Sequence, residues 1–418
     1  MAQDPSETMD LKNPKQPLPF GMFALFTPDE AMPKDKPLRV KRRLGVIIAC
    51  VVLLAICWGL SQSAGFVENV YLPQFGQLVG RGLASITSPL PTSAAEVLIV
   101  LFFLILFVPF VMGAVEVVTR KRRFINAVAC GGLRLFAALG VAAVLFYVFW
   151  GMNYGRLPLA NRMGWDDSKL SHDHDEAIEE LARLGEQLVT LTNAAYEDAM
   201  GGKDLGTPSM LETAPEALDE SIDRGYERVA TQLKQPEWFA ASRGRAKPLA
   251  ASILLCWANV NGVYFPWTGE ANYNRLQPAS TLPVSIAHEK AHQRGVTSED
   301  EANFFGYLAC ISSDDAYARY SGYLMAQRYV LGDLMGHDPE RGAALLRRRH
   351  PGVQRDVNAQ KAFWDQYKGP AAEVSTTVNN AYLEAHNVKG GIHSYGRVLQ
   401  LIVLYARSNG GSVGPDAP

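Results

Sequence analysis

Three long apolar runs between Leu44 and Trp150 constrain this chain more than any other feature. Each is long enough to cross a bilayer, which takes roughly 20 residues of helix. The spacing predicts membrane helices over about 44–60, 94–118 and 128–150, with Pro109 kinking the second. Glu96 and Glu116 lie near the ends of the second helix, where carboxylates reach the headgroups. Arg134 is placed to snorkel towards the basic loop that precedes the third, and Trp150 and Tyr154 suit the opposite interface. Three such runs within about 110 residues, each bounded by charge or Trp, speak against buried core helices. The 43 residues ahead of the first run make a cleaved signal peptide a poor reading.

Lysine and arginine set the expected orientation. Lys34, Lys36, Arg39, Lys41, Arg42 and Arg43 precede the first helix, and Arg120 to Arg123 fill the second loop. The loop between the first two helices holds only Arg81 and Glu68. An N-terminus in the cytoplasm and an odd number of crossings place residues 151–418 outside the cytoplasmic membrane. Three parts are expected: a disordered cytoplasmic tail over 1–43, a membrane domain over 44–150, and an extracytoplasmic domain over 151–418.

With 40 basic against 42 acidic residues, no basic excess draws the chain to nucleic acid. Beyond the membrane the pattern is mainly α. Ile178, Leu181, Leu184 and Leu188 mark one apolar helical face within 173–200, and 209–233, 314–335 and 353–387 have similar texture. Residues 252–275 are rich in aromatic and β-branched types broken by Gly and Pro, which predicts a small sheet or hairpin. Of the five cysteines only Cys256 and Cys310 lie outside the membrane helices. They either pair in an oxidising compartment or remain two separately buried thiols.

The chemistry is carried by His288-Glu289-Lys290-Ala291-His292, an HExxH. With 8 His in 418 positions, chance supplies on the order of 0.01 such matches. On a helix the two imidazoles stand one above the other and can share one Zn²⁺ at about 2.0–2.1 Å, with Glu289 beside them as general base. Pro283 and Gly295 bound that helix, and Lys290 is expected to face solvent. A second helix begins at Ser298, which with Glu301 spells a capping box. Glu299, Ala302, Asn303 and Gly306 share one of its faces. Glu299 is therefore the expected third ligand, Glu301 the alternative, and Asn303 a partner that orients an imidazole through its other nitrogen. Ala271 to Arg275 is a candidate edge strand for aligning an extended peptide. Tyr395 and His393, in the Gly390–Gly396 turn, are candidate donors to an oxyanion.

HExxH followed by Glu299-Asp300-Glu301-Ala302-Asn303 resembles the gluzincin metallopeptidases. More closely, WGMNYGR (150–156), GEANYN (269–274), HEKAHQRG (288–295), EDEANFFGYLAC (299–310) and GIHSYG (391–396) resemble an uncharacterised bacterial membrane-protein family, a domain of unknown function. The resemblance implies a zincin-like site without an established substrate. Glu299 lies seven positions after His292, a shorter excursion than gluzincins usually have, and Ser298 stands where metzincins place a third ligand. The expected function is a membrane-anchored zinc metallopeptidase acting on protein or peptide outside the cytoplasmic membrane. The rival expectations are a sensor or scaffold stapled by structural zinc, and a zinc hydrolase of a non-peptide envelope substrate.

Overall fold

The computed structural model describes residues 37–119, 123–165, 174–203, 206–370, 372–377 and 395–415. Helices dominate, and a three-stranded sheet is the only sheet among the described residues. Helices α1 (Pro37–Ser61), α3 (Ala94–Val118) and α4 (Phe124–Phe149) are long and apolar enough to cross a membrane. Between α1 and α3, residues that read in the sequence as a plain loop form a π-type run, Val67–Gly76, and then α2, Gln77–Thr87.

The chain divides into two compact units, Met1–Leu53 with Ile99–Val144, and Leu54–Leu98 with Leu145–Pro418. In the first, Gly140 lets α1 and α4 approach, since a Cβ there would stand 3.1 Å from that of Cys50. Arg134, expected to reach towards an interface, is buried in this unit.

The second unit is built around α5 (His174–Ala199), α6 (Pro215–Gln232), α8 (Leu282–Gln293), α9 (Glu299–Ile311) and α10 (Ala316–His337). Leu184, Leu188, Tyr226, Phe304, Phe305 and Val330 form its core. Of the expected helical segments, 314–335 is realised as α10, while 353–387 yields α11 (Pro351–Asp365) and a turn of helix at 372–377. The helix α12 (Tyr395–Ser408) closes the core from the C-terminal side with Val398 and Ile402.

The segment expected to hold strands opens instead with a short helix, α7 (Ser252–Trp257). It is followed by the hairpin β2 (Gly262–Phe265) and β3 (Glu270–Tyr273). The two-residue strand β1 (Lys247–Pro248) pairs with β3 in parallel, giving the order β1-β3-β2. So β3 is the central strand and β2 an edge, which corrects the assignment of Ala271–Arg275 as the edge strand. Cys256 and Cys310 are separate, buried free thiols.

Candidate metal centre

The helix α8 has Pro283 in its first turn, where no N–H is needed. It ends in a Gly295 turn at φ +83°, with Gly295 N–H on His292 O and Val296 N–H on Ala291 O. Four residues after Gly295 the chain re-enters helix as α9. The two helices meet at Gly306, where a Cβ would stand 3.1 Å from His288 N and 3.4 Å from Val284 O, so glycine sets the approach.

That approach brings His288, His292 and Glu299 together, each offering a ligand atom within 4.8 Å of the others. The two Nε2 atoms are 3.0 Å apart. Glu299 Oε2 lies 3.1 Å from His288 Nε2, and its Oε1 lies 3.5 Å from His292 Nε2. Ligands at 2.0–2.1 Å on tetrahedral corners stand about 3.3 Å apart, so these spacings match the edges of a zinc tetrahedron. The other imidazole nitrogens are engaged. His288 Nδ1 meets Asn303 Oδ1 at 3.0 Å, and His292 Nδ1 meets the Val296 carbonyl at 2.7 Å. Both acceptors are served by an N–H at Nδ1, so that in the neutral rings the Nε2 lone pairs are aimed at one point. Burial disfavours a charged His292, but the Glu299 carboxylate overrides it and holds the ring's pKa up at about 9. Glu299 is pushed well below the usual carboxylate range, against its own desolvation, by His292 and His288. With no metal bound, a proton on His292 is thus favoured beside the Glu299 carboxylate.

Glu289 is 5% exposed. Burial raises its pKa, partly offset by the two histidines and by the Tyr264 backbone N–H. Its Oε2 has no hydrogen-bond partner. Gly262 of β2 makes room for it, since a Cβ there would come within 2.8 Å of Glu289 Oε1. The centre opens on its Glu299 side, whose side chain is 35% exposed. A cavity of about 490 Å³ beside the 296–301 turn includes none of these four residues.

Glu301 takes neither of its expected parts. It accepts Leu159 N–H at 2.6 Å and pairs with Arg162 at 2.6 Å, facing away from the histidines. Ser298 makes no side-chain cap and binds Asp300 instead, so the capping box is absent. Lys290 is fully buried, where solvent was expected, with Nζ 2.7 Å from Asp219 and 3.0 Å from Asp223. Trp150 is likewise buried and donates from Nε1 to His292 O at 3.1 Å. His393 lies outside the described residues. Tyr395 is the first residue of α12, but its side chain lies outside what is described.

Sequence reasoning missed the residues that brace the centre. Arg156 donates to Gly295 O at 3.1 Å while pairing with Glu68, and Thr297 Oγ1 donates to Asn153 O. The WGMNYGR run (150–156), one of the segments that carry the family resemblance, was the available signal, since its Trp150, Asn153 and Arg156 hold the end of α8 and the turn that follows it. GEANYN has a comparable use: Glu270 accepts Ala94 and Ala95 N–H at the start of α3 and pairs with Lys247 at 2.7 Å.

A family model described as protein of unknown function (DUF3810) matches residues 71–403. The chain belongs to that family. Nothing matches among curated proteins or among solved structures.

Proposed function

We propose that this chain is a membrane-anchored, zinc-dependent hydrolase of the metallopeptidase type. The observation that carries the reading is the convergence of His288 Nε2, His292 Nε2 and the Glu299 carboxylate beside a buried, unpaired Glu289 Oε2. His288, His292 and Glu299 would hold the metal, with Asn303 and the Val296 carbonyl fixing the imidazoles. Zinc in that position supplies Lewis acidity to a water and to a substrate carbonyl.

The protein's own part is proton handling and alignment. A carboxylate whose pKa is raised by burial is a stronger base. Glu289 Oε2 takes the proton of the attacking water and returns it to the leaving amine. The edge strand β2 runs past Glu289 at Gly262, so an extended peptide added to that edge passes the base. Tyr395 or His393 supplies a donor to the oxyanion in this scheme. The distribution of basic residues supports a cytoplasmic N-terminus and a centre working outside the cytoplasmic membrane.

The test is metal analysis and hydrolysis by the purified full-length chain. Zinc at one equivalent, lost in His288→Ala, is expected. Glu289→Gln should keep the zinc and lose hydrolysis by about 10²-fold or more. Partner capture without turnover, unaffected by Glu289→Gln, would refute catalysis and favour a structural metal.

A further inference from the structure

Between Lys247 and Glu270 the sequence contains no charged residue. This stretch includes α7, whose Cys256 and Ser252 are buried while Ile253, Leu254 and Trp257 are 39%, 55% and 50% exposed. Leu276 is 43% exposed, and it follows Arg275, whose N–H binds Ser252 Oγ at the start of the same helix. A soluble surface rarely leaves so many large apolar side chains together without a partner.

The fold indicates what covers them. Glu96, the third residue of the span Ala94–Val118, accepts the N–H groups of Ala250 at 3.0 Å and Ala251 at 2.8 Å, directly ahead of α7. At 1.5 Å per residue, Glu96 lies only about 3 Å along the helix from the first residue of the span. Lys247 Nζ holds the Thr87 and Thr92 carbonyls in the approach to that span, where Ile86 and Leu90 are exposed as well. The short helix is thus tied by its backbone to the point where a membrane-crossing helix begins.

We propose that α7 is a membrane-interface element, with Ile253, Leu254 and Trp257 seated in the headgroup–acyl boundary of the leaflet that α3 enters at Ala94. Trp is the side chain best suited to that boundary. Arg275 stands beside the patch to meet lipid phosphates. Because α7 leads through residues 258–261 into β2, the seat also fixes the strand beside Glu289. This proposal stands on the surface alone, whatever the metal centre does.

The test uses full-length protein in vesicles of phosphatidylcholine and phosphatidylglycerol. Its five native cysteines are inside membrane helices or the core, so a nitroxide placed by Leu254→Cys can be read selectively. A second label at Lys361→Cys, on the exposed flank of α11, is the aqueous reference. Collision with a water-soluble nickel chelate should be several-fold lower at 254 than at 361, and collision with oxygen higher. Nickel access equal to the reference overturns the proposal, and so does protection from both reagents, which means that protein covers the patch. Should Leu254→Cys fail to fold, brominated lipid gives the answer: Trp257→Phe must remove part of the lipid-dependent quenching, and unchanged quenching overturns the seat.

Discussion

Lys290→Met is the sharpest test of how the HExxH helix is held. Lys290 and Arg294 meet Asp219 and Asp223 in the core, at 2.7 Å and 3.0 Å from Lys290 Nζ and 2.8 Å from Arg294 Nη2 to Asp223. Two cations and two carboxylates balance. Methionine keeps the volume and removes one charge. Arg294 still serves Asp223, but Asp219 is left with the Ala246 N–H alone. Removing one partner of a buried pair costs about 3–5 kcal/mol. At 2–4 °C per kcal/mol for a unit of this size, thermal unfolding of the detergent-solubilised protein should fall by about 6–20 °C. Burial already raises the Asp219 pKa despite Lys290, and losing the lysine raises it further. An acid with a raised folded-state pKa stabilises in its protonated form. The variant should therefore be nearest to wild type at acid pH and lose stability as pH climbs above about 4, the unfolded value. Adding Asp219→Asn should restore most of the loss and flatten the pH dependence. A shift under about 2 °C, equal at all pH values, would refute the reasoning and return Lys290 to solvent.

Three further outcomes follow from the centre. Asn303→Ala removes the acceptor that fixes the His288 ring, and chelator competition should show zinc held about 10–100-fold more weakly. Gly306→Ala puts a Cβ 3.1 Å from His288 N; prying α8 from α9 should cost about 1–3 kcal/mol in thermal unfolding. Glu301→Gln weakens the Arg162 pair and should lower stability by about 1–3 kcal/mol while leaving the zinc stoichiometry intact, whereas Glu299→Gln should lose the metal.

What the sequence reveals is mainly what local geometry governs. Pro283, Gly295 and Gly306 bound and pack α8 and α9, and their roles follow from backbone sterics alone. The apolar spans follow from length and composition. The hidden features depend on distant partners. Lys290 reads as a surface lysine because Asp219 lies 71 residues earlier. Glu301 reads as a cap because Arg162 lies 139 residues away. The strand β1 has two residues, too few for any periodicity, and without it β3 cannot be recognised as central. Trp150 ends an apolar span, which is also how an interfacial Trp appears; only its bond to His292 O distinguishes the two.

The choice between Glu299 and Glu301 shows how far local geometry reaches. Residues two apart on a helix point about 200° from each other, so only one of these carboxylates can face α8. Asn303 lies one turn beyond Glu299 on the same face, and its amide oxygen is on His288 Nδ1 at 3.0 Å. Once Asn303 is fixed there, Glu299 must stand by the Nε2 atoms and Glu301 must turn away, where Arg162 and the Leu159 N–H receive it. Helical periodicity thus allots Glu299 and Glu301, two of the three acids of a single turn, to separate tasks, one at the converging imidazoles and one as a brace to the 150–165 segment. Moving either by one residue would lose both.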